Sequence, residues 1–85
     1  MFINKTKDGR NNLCGKNVGR FRSTMKLSQR ALADKLQLHG LDVDKNAIQR
    51  IESGQRFVTD IELAALSAVL EVSLDELIHS DFFEE

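Results

Sequence analysis

Lys45, Asn46, Gln49, Arg50 and Ser53 are spaced so that a helix would bring all five to one side. Measured from Lys45 at about 100° per residue, they fall between about 0° and 140°. Ala47, Ile48 and Ile51 fall at about 200°, 300° and 240°, on the opposite, apolar side. The polar face carries hydrogen-bonding groups suited to base edges and phosphates. Arginine can bond guanine O6 and N7 bidentately, and asparagine or glutamine can do the same to adenine; a good pair is worth about 1–3 kcal/mol of discrimination. An ordinary solvated helix face has the same residue types, so they alone leave both readings open.

Little else points to chemistry. His39 and His79 are far apart in sequence and neither adjoins a nucleophile pattern. Gly9, Gly15 and Gly19 form no phosphate-binding loop. The single cysteine, Cys14, excludes an intrachain disulfide and leaves no Cys-rich metal site. It reads as a small buried apolar residue in a reducing compartment. No enzyme activity, cofactor, metal or small-molecule ligand is expected.

The net charge of −1 argues at first against a polyanion partner, but its distribution reverses that. All twelve Lys and Arg residues lie between Lys5 and Arg56. Residues 1–60 hold six acids and so carry +6, while residues 61–85 hold seven acids and no base. A basic front and an acidic back orient a molecule towards nucleic acid. An acidic solvated face unrelated to function is the alternative. No apolar run approaches the roughly 20 residues that span a membrane, and no signal peptide is evident, so a cytoplasmic location is expected.

Eighty-five residues without proline, rich in Leu, Ala, Lys and Glu, predict one small all-α domain. Residues 1–12 read as a flexible polar arm, 13–80 as the folded domain and 81–85 as a short acidic tail. From Asn12 the apolar stripe Cys14, Val18, Phe21 and Met25 marks a first helix, although Gly15 and Gly19 weaken it by about 1 kcal/mol each. Ser28 caps a second helix with Leu32, Ala33 and Leu36 inward. Gly40 ends it, and Leu38, Leu41 and Val43 are expected to pack back on the core. Asp44 caps the helix 45–53, which Gly54 terminates. Thr59–Glu62 and Ser73–Glu76 are capping boxes for two more helices. The fourth is expected to bury Ile61, Ala64, Ala65, Ala68 and Val69 with Leu66 and Leu70, and the fifth Leu77 and Ile78.

Leu27-Ser28-Gln29, Leu32-Ala33 and the run Ile48-Gln49-Arg50-Ile51-Glu52-Ser53-Gly54-Gln55-Arg56 together resemble the helix-turn-helix of Cro/lambda-repressor-like (XRE) regulators. The resemblance runs from about Cys14 to Ile78. It implies a five-helix lambda-repressor-like domain whose third helix enters the major groove of double-stranded DNA. By that resemblance Lys45, Asn46, Gln49 and Arg50 contact bases, and Gln29 clamps a phosphate. Arg30, Ser53, Gln55 and Arg56 are further phosphate candidates. Arg22 and Glu52 correspond to an ion pair bracing the first helix against the third. The segment 37–43 departs from the pattern, making the turn about five residues longer than the family's. A transcriptional regulator, more specifically a repressor, is the implied role, with a homodimer on a near-palindromic site as one assembly. The alternative is a protein-interaction module, such as an antitoxin or anti-repressor component, with Leu74, Phe82 and Phe83 offering a surface to a protein partner or to self-association.

Overall fold

The computed structural model describes residues 4–79. Five helices follow one another: α1 (Gly15–Thr24), α2 (Gln29–Leu38), α3 (Lys45–Ser53), α4 (Asp60–Leu70) and α5 (Leu74–Ile78). Their starts are set by local chemistry. Ser28 accepts from the Ala31 N–H, and Asp44 from the Ala47 N–H at 2.9 Å. Thr59 with Glu62, and Ser73 with Glu76, close full capping boxes. Each such cap supplies a partner to N–H groups that the helix itself leaves unpaired, worth typically about 1 kcal/mol.

The helix ends are as informative as the starts. Gly54 sits at φ +84°, with its N–H on Ile51 O and that of Gln55 on Arg50 O. This Schellman arrangement needs a left-handed residue, which glycine adopts without a Cβ clash. The end of α2 has the same form: Gly40 donates to Gln37 O and Leu41 to Leu36 O. The long connection to α3 is therefore wound rather than loose. Leu41 is half-buried and Val43 buried, while Gln37 Nε2 bonds the Val43 carbonyl at 2.8 Å. Leu38, expected to pack inward, is instead 90% exposed.

Cys14 and Val18 from α1, Leu32, Ala33 and Leu36 from α2, and Ile48 and Ile51 from α3 form one buried cluster with Val43, Leu66, Leu70 and Leu77. Burial in this cluster pushes the Cys14 thiol up to about 11, away from the reactive thiolate form. The first helix starts at Gly15, three residues later than its pattern suggests, and Met25 lies beyond its end. Asn17, fully buried on α1, directs Nδ2 at the carbonyls of Leu77 and His79, 2.8 and 2.9 Å away. The end of α5 is thereby tied to α1.

Helix α4 corrects the face expected for it. Leu66 and Leu70 are buried, but Ile61, Ala64 and Ala68 point outward, Ile61 at 72% exposure. The segment is apolar almost all round, so periodicity selects no face; the two large leucines take the core, Ala65 and Val69 pack partly against it, and Ala64 and Ala68 are left outside. On α5 Leu77 is buried and Ile78 half-buried, with Leu74 half-exposed. Phe82, Phe83 and the acidic tail 81–85 lie outside the described residues.

Candidate nucleic-acid interface

Ile48 and Ile51 anchor α3 from below, both buried in the shared core. The helix therefore presents Lys45, Asn46, Gln49, Arg50 and Ser53 to solvent, all exposed. Lys45, Asn46, Gln49 and Arg50 make no side-chain hydrogen bond or ion pair with any other described residue. Ser53 differs, because its hydroxyl donates back to Arg50 O at 3.2 Å and keeps only acceptor capacity outward. The result is a row of uncommitted donors and acceptors on a helix held by two isoleucines.

Beneath this face the polar residues are fully engaged. Arg22 Nε and Nη2 grip the two carboxylate oxygens of Glu52 at 2.7 and 3.0 Å. The pair joins α1 to the last turn of α3, with side-chain exposures of 18% and 14%. Arg22 Nη1 also donates to Leu27 O at 2.7 Å, fastening the turn before α2. The hydrogen bond to Glu52 raises the guanidinium's pKa further. Gln29 completes the group: its Nε2 reaches Glu52 Oε1 at 3.2 Å, which orients the half-buried amide at the start of α2. One carboxylate thus ties together three elements of the fold.

The remaining phosphate candidates separate in space. Arg30 and Lys45 line one open polar cleft of about 380 Å³ with Ala33, Asp34, Gln37 and Asp44, between α2 and the start of α3. Gln55 and Arg56 follow the other end of α3. Gln55 is exposed, whereas Arg56 Nη1 is held 2.8 Å from Glu62 Oε2. Burial works against the Glu62 charge, yet the Thr59 N–H and Arg56 together hold its carboxyl below the ordinary value. Arg56 therefore reaches a further anion only by sharing or leaving this partner.

Residues 10–12, placed at the sequence level in a flexible arm, bond to the end of α3 instead. Arg10 Nη2 donates to Glu52 O at 2.6 Å, Asn11 N to Gly54 O, and Asn11 Nδ2 to Gln55 O. Asn12 Nδ2 lies 3.0 Å from Ile51 O and 2.8 Å from Arg56 O, while its Oδ1 accepts from Gly15 N. The only local signal for this was an Asn just ahead of a helix start, the residue type that caps helices. Its partners some 40 residues away leave no mark in spacing.

Among the described residues no group of three or more His, Cys, Asp or Glu side chains is placed to hold a metal ion. No helix among them is long and apolar enough to cross a membrane.

Comparison with known proteins adds two findings. The profile of the helix-turn-helix family matches residues 20–77, from the middle of α1 through α5. Among solved structures, the chain is similar to the restriction-modification controller protein C.AhdI from Aeromonas hydrophila. The two are 27% identical, with a TM-score of 0.65 over 74% of this chain and 88% of that one. No curated protein sequence matches.

Proposed function

This chain belongs to the XRE-type helix-turn-helix family of DNA-binding transcription regulators, and from that premise we propose that α3 reads base edges in the major groove of duplex DNA. The observation that carries the reading is the row Lys45, Asn46, Gln49 and Arg50, unpaired among the described residues, on a helix whose other side is locked in the core. In this reading Arg50 and Lys45 take guanine, and Asn46 and Gln49 take adenine. Gln29, held by Glu52, donates to a backbone phosphate at the start of α2, where helix N–H groups favour an anion. Arg30, Gln55 and Arg56 add phosphate contacts at both ends of α3, fixing register without reading sequence, and Ser53 joins them by turning its hydroxyl from Arg50 O to the phosphate. The basic charge of residues 1–60 supplies the long-range attraction.

The likeness to a restriction-modification controller supports regulation of transcription as the role. We take repression, by occupying a promoter against polymerase, as the outcome. A symmetric homodimer would set two α3 helices about 34 Å apart on a near-palindromic site.

Selection of bound duplexes from a random-sequence pool tests the proposal. An enriched motif is expected, with Arg50→Ala relaxing it and weakening binding by about 1–3 kcal/mol. The melting temperature should stay unchanged, because the Arg50 side chain has no internal partner among the described residues. Folded protein that enriches nothing would contradict the reading. It would favour a protein-interaction module, whose binding, unlike phosphate contact, should hardly respond to salt.

A further inference from the structure

The residues just ahead of α1 meet the end of the helix proposed to read DNA, and they lie before the span that the family profile matches. Arg10, Asn11 and Asn12 between them bond the carbonyls of Ile51, Glu52, Gly54, Gln55 and Arg56. Ile51 and Glu52 belong to the last turn of α3, whose carbonyls the helix itself leaves unpaired, and Gly54, Gln55 and Arg56 follow it directly. Arg10 also brings a cation to the negative end of the α3 dipole. Its side chain lies over Gly54, where a Cβ would come within 2.9 Å of it. Through its other atom, Oδ1, Asn12 holds the first turn of α1 at the Gly15 N–H, 2.8 Å away. Asn12 thereby couples the positive start of α1 to the negative end of α3. At Gly15 the two lie against each other: a Cβ there would overlap the Ile51 carbonyl oxygen.

We infer that Arg10, Asn11 and Asn12 are positioning residues for DNA recognition, a clasp that fixes the C-terminal half of α3 and so the placement of Gln49 and Arg50. The inference rests on the reading of α3 as the base-contacting helix. Helix α3 has only nine residues, and Arg50 lies in its last turn, the part of a helix that frays first. The Schellman bonds satisfy Arg50 O and Ile51 O, whereas Glu52 O and Gly54 O are bonded by Arg10 and Asn11 of the clasp. A base contact that must hold bidentate geometry loses its discrimination when its helix end moves. A phosphate contact made through a long flexible side chain loses little.

The test measures binding of the full chain to its selected duplex and to a shuffled duplex of equal length, over a range of salt. Wild type, Arg10→Ala, Asn12→Ala and Arg50→Ala are compared, each checked for folding by circular dichroism. Arg10→Ala and Asn12→Ala should lower affinity for the selected duplex about tenfold, the scale of one mis-set bidentate contact. Affinity for the shuffled duplex should stay within about twofold and its salt dependence should not change, because a clasp neutralises no phosphate. If both affinities fell together with a salt slope shallower by about one in Arg10→Ala, Arg10 would be a phosphate ligand and the clasp would be refuted. Unchanged affinities in Arg10→Ala would refute it equally. Arg10 is only half-buried, so that variant decides the matter should Asn12→Ala fail to fold. If Arg50→Ala lost specificity while Arg10→Ala kept it, the clasp would fail and the reading of α3 would stand. A wild type with no sequence preference would overturn both.

Discussion

Replacing Arg22 with alanine should be among the most damaging single changes in the molecule, and the structure says why. The substitution removes two hydrogen bonds to Glu52, at 2.7 and 3.0 Å, and a third to the Leu27 carbonyl. It also leaves the Glu52 carboxylate, only 14% exposed, with Gln29 Nε2 at 3.2 Å as its remaining side-chain partner. Removing one member of a buried ion pair costs about 3–5 kcal/mol, because the other charge stays behind uncompensated. Residual exposure of both partners places this pair at the lower end, about 3 kcal/mol. For a domain of this size each kcal/mol moves the melting temperature by about 4–8 °C, so a fall of about 12–24 °C is expected. Thermal melting followed by circular dichroism measures it. The double variant Arg22→Met with Glu52→Leu should recover much of the loss, since the penalty comes from the stranded charge rather than from the absent attraction. An unchanged melting temperature in Arg22→Ala would refute the brace. A double variant as unstable as the sum of the two single ones would refute the stranded-charge argument.

Two other substitutions probe the packing around α3. Gly15→Ala should lower stability by about 1–2 kcal/mol despite alanine's higher helix propensity, because its Cβ displaces the Ile51 carbonyl and overpacking costs about 1–3 kcal/mol. A rise in melting temperature would count against the close approach of α1 to α3. Glu62 carries a pH dependence: its carboxyl lies below the ordinary 4.5 in the folded state, so the unfolded chain takes up the proton first as pH falls. Its contribution is therefore complete above about pH 4.5 and is lost as pH falls through the folded-state value. Urea unfolding between pH 6 and pH 3 should show wild type and Glu62→Gln converging at the acid end. A gap independent of pH would contradict this linkage.

What was legible in the sequence was mostly local. Ser28, Asp44, Thr59 and Ser73 announce helix starts through side chains that bond N–H groups three residues on, and the structure has each of these caps. Gly54 and Gly40 announce helix ends because those positions take a positive φ. The apolar face of α3 was equally clear, since Ile48 and Ile51 stand alone against polar neighbours. Helix α4 was misread for the opposite reason: where nearly every residue is apolar, period alone does not choose between Leu66 and Ala68 for the core. Gly15 and Gly19 looked like weaknesses of α1. In the structure they are where α1 lies against α3, Gly15 under the Ile51 carbonyl and Gly19 beside the Glu52 carboxylate, which a Cβ there would meet at 3.3 Å. The bonds of Arg10, Asn11 and Asn12 to the end of α3 left no sign beyond an Asn ahead of a helix start, because bonds to distant carbonyls impose no pattern on either segment.

The most direct measurement of whether α3 reads bases from the major groove is methylation protection with dimethyl sulfate on the selected duplex. The reagent attacks guanine N7 in the major groove and adenine N3 in the minor groove, so one experiment reports on both. Protection of guanine N7, lost at particular guanines in Arg50→Ala and Lys45→Ala, is the expected result. Protection confined to adenine N3, or N7 protection that neither substitution alters, would contradict the assignment of α3 to the major groove.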